Sequence, residues 1–285
     1  MESIIILFLC LLASSKVTIQ GLFAKRQVKT TADGVLFNGM IFFFSALFFA
    51  VHAFNSHIPV IIYGAVFGLL TVLFQLCYIK AMSYGNVSLT VLLINLSMII
   101  PVTISVAVFD EELSAFRFFG IVLTLVTLFL NIDTKEKSNS SPKWLMLSIL
   151  AALFNGGLAV CQQFFGKTEY KSFNASFVAY SYIFATAISC VIYLFLFSKG
   201  IKASFKIKGK ALIYALAVGL ILGVFQTLNT KAISEIDGSL LFPVYNGGSL
   251  VLSAVSGVIL LKDKLKSKQI ISIILGIAAI VLINL

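Results

Sequence analysis

Ten runs of about 20 predominantly apolar residues follow one another along the chain, each long enough to cross the hydrocarbon core of a bilayer as a helix. Their boundaries read Ser3 to Ala24, Gly34 to Ala53, Ile58 to Ile79, Asn86 to Phe109, Ala115 to Asn131, Trp144 to Phe165, Asn174 to Phe197, Ala211 to Thr230, Gly238 to Leu261 and Gln269 to Leu285. Lipid offers no partner for an exposed amide, so a spanning segment must pair its backbone internally. Barrel strands would be about ten residues of alternating polarity, and these runs are continuous and twice as long. The reading is an all-α polytopic membrane protein. Of the 285 residues, 60% are hydrophobic and 11% charged, against about a quarter charged in soluble domains. The apolar run from Ile4 to Leu12 resembles a secretion signal, but it is flanked by Glu2 and continues to Phe23, so it reads as a first helix.

A shift of 151 positions lays Ile62–Asn95 onto Ile213–Asn246 with 12 identities in 34, among them Gln75 with Gln226, Lys80 with Lys231 and Asn95 with Asn246. At a shift of 142, Gln20, Phe23 and Lys25 meet Gln162, Phe165 and Lys167. The chain is thus read as two five-helix repeats, residues 1–133 and 144–285, joined by a polar linker at 134–143. Five is odd, so the second copy enters the membrane from the opposite side. Inverted repeats of this kind permit a central site to open first to one side and then to the other.

The repeat, the segment Phe242 to Gly248 (Phe-Pro-Val-Tyr-Asn-Gly-Gly), and Glu111, Leu113, Ser114 and Gly120 with their copies Asp263, Leu265 and Gln269 together carry a resemblance. The chain resembles the EamA-like branch of the drug/metabolite transporter superfamily. The resemblance implies a basket of helices one to four and six to nine around a cavity, helices five and ten at the periphery, and secondary transport of small metabolites. The second copy has Ser272 where the first has Gly120, a departure that bears on local packing.

A charged residue inside a span is costly and marks a functional candidate. Lys16 lies near the middle of the first run, with Gln20 one turn away on the same face. It reads as a cavity ammonium that meets a carboxylate or phosphate or carries a coupling proton; the competing reading is a lysine that snorkels to the interface. All 11 acidic residues lie in loops or at helix ends, so the buried carboxylate that a proton-driven exporter of cations uses is missing from the spans. Further cavity candidates are Gln75 and Tyr78 (with Thr71 on the same face), Asn95, Asn155, Gln162, Gln226, Asn229, Tyr245 and Asn246. Each competes with ordinary interhelical hydrogen bonding.

Pro101 and Pro243 each remove one backbone hydrogen bond inside a span, and with Gly247 and Gly248 they are hinge or gate candidates. Gly64-x-x-x-Gly68 and Gly219-x-x-x-Gly223 read as close-packing sites. Trp144 reads as an interfacial anchor. The four cysteines read as buried thiols, and His52 and His57 as exposed loop residues.

Lys and Arg number 3, 1, 3, 5 and 4 in the odd loops, against 4 in all even loops once Arg117 at the head of the fifth run is counted with them, with Lys16 intramembrane. This bias puts the odd loops in the cytoplasm and both termini outside; the resemblance implies cytoplasmic termini instead. The net charge of +10 belongs to these loops, where it meets anionic head groups rather than nucleic acid. No phosphate loop, zinc motif or nucleophile elbow occurs, so neither a cofactor, a metal site nor an enzyme activity is expected. The leading expectation is a carrier, in a bacterial plasma membrane, for a small polar metabolite such as an amino acid or related carboxylate, with protons available for coupling. It would act as monomer or homodimer. A sugar, nucleotide-sugar or lipid-linked-sugar carrier, and a non-transporting scaffold or sensor subunit, are the alternatives.

Overall fold

The computed structural model describes residues 2–50, 57–84, 87–130, 141–204, 209–261 and 267–283. All the elements among them are helical: α1 (Glu2–Gln27), α2 (Thr31–Ala50), α3 (Ile58–Tyr84), α4 (Val87–Leu96), α5 (Ile99–Phe109), α6 (Ala115–Leu130), α7 (Pro142–Gly166), a 3-10 turn at Glu169–Phe173, α8 (Asn174–Ser198), α9 (Gly209–Glu235), α10 (Gly238–Leu261) and α11 (Ser267–Ile283). Over its described residues each of the ten apolar runs is helical, the fourth with an interruption. Six described segments are long and apolar enough to cross a bilayer by themselves, and shorter apolar helices include those at Ala115–Leu130 and Ile270–Ile283. Exposed Leu, Ile, Val and Phe side chains such as Phe43, Leu47, Phe119, Val191 and Ile274 cover the outside, which suits a lipid surface and not water. Most of the linker at 134–143, along with His52, Asp263 and Leu265, lies outside the described residues.

The fourth run departs from expectation. It is two helices, α4 and α5, separated by a turn at Ser97–Met98. Pro101 has no N–H to give the Ser97 carbonyl, which instead accepts from Ile100 N–H at 3.0 Å, one residue nearer. The Ser97 hydroxyl also bonds back to the Ile94 carbonyl. Pro243 has no such effect, and α10 runs unbroken through it.

Helix packing follows a pseudo-two-fold. The α3 pairing with α7 is mirrored by α9 with α1, α3 with α8 by α9 with α2, and α4 and α5 on α7 by α10 on α1, while α2 with α8 and α6 with α11 meet across the axis. Aromatic rings repeat the symmetry at side-chain level. Phe23 stacks on Phe37 at 4.1 Å with Tyr214 at 5.5 Å, and Phe165 stacks on Phe177 at 4.4 Å with Tyr63 at 5.8 Å. These two triads use residues matched between the repeats.

The glycine pairs set the close approaches. A Cβ on Gly64 would fall 2.6 Å from Tyr180 Cβ, and one on Gly68 would strike the Ser181 carbonyl, both on α8. On the mirrored face, a Cβ on Gly219 would lie 2.8 Å from the Ile41 carbonyl oxygen of α2, and one on Gly223 2.7 Å from the Phe49 ring. The peripheral pair closes similarly: Gly120 abuts Ala279 and Ile283, and Ser272, in the equivalent place, is buried and donates to the Thr127 carbonyl at 3.0 Å. That hydroxyl bond answers the packing question raised by the Gly-to-Ser departure.

Trp144 is not a membrane-surface anchor. It is 5% exposed, and its indole N–H donates to Thr90 Oγ1 of α4 at 2.8 Å. Its own N–H is capped by Ser141 Oγ, so the residue locks the start of α7 into the bundle. Cys190 likewise departs from expectation, lying exposed on the outer face of α8.

Candidate functional site

A central cavity of about 190 Å³ lies between the repeats. Every span of the basket contributes to its wall, the fourth through the break at Ser97–Met98 and Pro101 of α5, and among the described residues neither α6 nor α11 does. From α1 come Lys16 and Gln20; from α3, Thr71, Phe74 and Gln75; from α7, Asn155, Leu158 and Gln162; from α9, Gln226 and Asn229; from α10, Tyr245 and Asn246.

Two chains of hydrogen-bonded amides brace the walls. In one, Gln20 Nε2 donates to Asn38 Oδ1 at 3.0 Å and Asn38 Nδ2 to Gln75 Oε1 at 3.5 Å, joining α1, α2 and α3. In the other, Asn229 Nδ2 donates to Gln162 Oε1 at 3.2 Å and Gln162 Nε2 to Thr230 Oγ1 at 2.7 Å, joining α9 and α7. Gln20 and Gln162 are repeat mates, so the same residue type anchors each chain. Such bonds hold side chains in one rotamer and preorganise the wall.

Lys16 stands apart from both chains. Its side chain is partly buried, and among the described residues it makes neither an ion pair nor a hydrogen bond. No described lining residue is Asp or Glu. The cavity thus carries one positive charge, with amides and aromatic rings around it.

The break in the fourth span is part of the site. Ser97, Met98 and Pro101 all line the cavity, and Asn155 Nδ2 donates to Ser97 Oγ at 2.8 Å. Unwound backbone is tolerated at membrane depth where protein or a cavity surrounds it. Beneath it, Gln163 Nε2 donates to Ser105 Oγ at 2.6 Å and to the Pro101 carbonyl at 3.2 Å, tying α7 to α5.

Five other candidates stand away from the wall. Tyr78 stacks behind it on Phe74 at 5.7 Å. Asn95 ends α4, where its carbonyl accepts from Met98 N–H at 3.2 Å, while its repeat mate Asn246 lines the cavity and donates to the Phe242 carbonyl at 2.8 Å. Gly247 faces Ile280 and Thr124, and a Cβ on Gly248 would sit 2.7 Å from Cys10 Sγ, so this pair serves close approach of α10 to its neighbours. Pro243 is buried and outside the lining.

Sequence reasoning passed over Asn38, Ser97 and most of the aromatic wall. Asn38 is an amide in an otherwise apolar run, a signal that could have been weighed. Phe42 and Phe67 offered none, since outward Phe43 and inward Phe42 are adjacent and identical in kind.

At one end of the bundle charged side chains tie several elements together. Arg117 Nη1 donates to Asp237 Oδ2 at 3.1 Å and to Ser239 Oγ at 3.2 Å. Glu111 accepts from Ser239 N–H at 3.1 Å, with Lys167 Nζ 3.9 Å from its other oxygen. These contacts bind the turn after α5 and the first turn of α6 to the start of α10, and the turn after α5 to the end of α7.

Two inverted five-helix repeats, with eight of the ten spans forming a basket around a central cavity, are the architecture of a drug/metabolite-class transporter, and the family comparison agrees. The model of the EamA-like transporter family matches this chain twice, over residues 4–133 and 136–285, and the chain belongs to that family. An uncharacterised protein of Haemophilus influenzae (strain ATCC 51907 / DSM 11121 / KW20 / Rd) is 24% identical over 209 residues, covering 70% of this chain and 67% of that protein. A crystal structure of another protein superposes on all of this chain and 98% of its own with a TM-score of 0.78 at 15% identity, a likeness of fold.

Proposed function

We propose that the protein is a secondary carrier in a bacterial plasma membrane that moves a small polar metabolite, an amino acid or related carboxylate, by alternating access of its two repeats. The observation that carries this reading is Lys16, an ammonium in the cavity wall with no carboxylate among the described lining residues to neutralise it. A substrate carboxylate supplies the missing charge, and partial burial makes that pairing stronger than it would be in water. The amide donors around it add orientation. Export follows the family resemblance. Purified protein in proteoliposomes, offered pools of labelled amino acids, organic acids and sugars with and without a pH gradient, tests the reading. Saturable flux of a carboxylate that disappears in Lys16→Met is the expected result. Flux confined to sugars and indifferent to Lys16→Met would overturn it, and no flux from any pool would favour a scaffold or sensor role.

A further inference from the structure

The pseudo-symmetry of the cavity permits a narrower inference, which rests on the carboxylate reading above. Because the two halves match in sequence and mirror each other in packing, lining positions have mates, and the mates show which properties belong to the scaffold and which to the substrate. Gln20 pairs with Gln162, Gln75 with Gln226 and Phe74 with Phe225, all lining the cavity. Features kept in both halves give the wall no direction.

Charge is where the halves part. At the shift of 142 that matches Gln20 to Gln162 and Phe23 to Phe165, Lys16 falls on Leu158, and both line the cavity. Helix α1 packs on α9 and α10, while α7 packs chiefly on α3, α4 and α5 and less on α9, so the two residues belong to different parts of the wall. The basic side chain of Lys16 on α1 thus has an uncharged counterpart on α7, where Leu158 and Ala159 line the cavity between Asn155 and Gln162. An occupant fits one way round.

The acceptors matter as much as the cation. A zwitterion brings its own ammonium, which a carboxylate would neutralise. Among the described lining residues there are no carboxylates, so only neutral groups, such as the amide oxygens of Asn155, Gln226 and Asn246, are left to meet it. In a cavity of about 190 Å³, a second ammonium would also lie close to that of Lys16, and like charges at short range in a site of low effective dielectric repel.

We propose that the substrate is a net monoanionic carboxylate with an apolar body and no ammonium of its own, such as a keto, hydroxy or simple acid, bound with its carboxylate at Lys16 and its body toward Leu158.

The test compares four probes of nearly the same shape against the purified protein: leucine, its keto acid, its hydroxy acid and isocaproate. Binding is read as thermal stabilisation in detergent, and transport as counterflow in proteoliposomes. The three monoanions are expected to bind at least about tenfold more tightly than leucine, because only leucine sets an ammonium beside that of Lys16. The exchange K16L/L158K, which moves the ammonium to the mated position, is expected to retain monoanion binding that K16L alone loses. Leucine binding as well as or better than its deaminated analogues would overturn the inference while leaving the carboxylate carrier intact, provided Lys16→Met abolishes its flux. Equal binding of all four probes to wild type and Lys16→Met would overturn both. Should the exchange variant fail to fold, the ranking of the four probes on wild-type protein decides alone.

Discussion

Phe42 of α2 and Tyr182 of α8 stack with ring centroids 5.8 Å apart and planes 18° from parallel, and both line the cavity. The contacts that match Gly68 with Ser181 and Phe184, and Gly219 with Ile41 and Phe44, place α2 on α8 at a shift of 140, which makes Phe42 and Tyr182 mates that meet across the pseudo-axis. The two repeats therefore touch through equivalent rings in the wall of the site. A movement of one repeat against the other must slide or part them.

This contact should be measurable as a coupling energy. In a double-mutant cycle of Phe42→Leu and Tyr182→Leu, read by unfolding in mixed micelles, the coupling is expected at about 0.5–1.5 kcal/mol, the usual worth of an aromatic pair beyond its buried area. Strict additivity would mean that the rings are merely neighbours.

Lys16→Arg separates charge from proton transfer. A guanidinium keeps its proton in proteins, so the variant should still bind the carboxylate yet lose any dependence of flux on a pH gradient. Counterflow with and without the gradient reads both quantities, and a gradient response equal to wild type would remove Lys16 from the proton path.

The charged cluster around Arg117 and Glu111 should behave as a gate. Arg117→Gln removes the link to Asp237 and Ser239, and Glu111→Gln weakens the one to Ser239 and Lys167. Each should raise the rate at which a cysteine at position 105, placed by Ser105→Cys just inside these contacts, reacts with a membrane-impermeant thiol reagent added from that side. The exposed Arg117 pair is worth only about 0–1 kcal/mol, so a single loss should raise reactivity up to about fivefold, and the two losses together should do more.

Gly68→Leu and Gly219→Leu should each destabilise the bundle by about 1–3 kcal/mol through overpacking. The backbone of the facing helix stands where the new Cβ would lie. Thermal unfolding in detergent checks this, and the outward-facing Leu69→Ala serves as a control with little effect.

Pro101→Ala restores an N–H to the Ser97 carbonyl and should join α4 to α5. The expected outcome is unchanged or increased stability with slower turnover, because the turn that Asn155 holds through Ser97 is lost. Unaltered turnover would show that the break is packing alone.

Much was legible in the sequence because a bilayer allows so few solutions. Satisfying every backbone amide in hydrocarbon forces helices of about 20 residues, so ten apolar runs sufficed for the fold class. A shared pattern of Tyr63/Tyr214, Gln75/Gln226 and Phe23/Phe165 sufficed for the duplication. The lone charge in a span marked Lys16 for the same reason: its cost is visible without coordinates.

Which way a helix faces was decided by tertiary structure alone. Lipid tails and protein interior are equally apolar, so hydrophobic periodicity does not distinguish them. Phe42 and Phe43 therefore read alike, though one lines the cavity and the other is 50% exposed on the outside. Asn95 and Asn246 are matched in sequence yet part in space, because Pro101 unwinds the fourth span beside Asn95 while α10 stays continuous around Asn246. The sequence by itself determined ten spans, two inverted halves and one intramembrane cation; only the packed structure decided that Lys16 faces a cavity, that Leu158 is its uncharged mate there, and that Tyr78 stands behind the wall, since these depend on helix rotations set by glycine contacts and amide bonds between segments far apart in the chain.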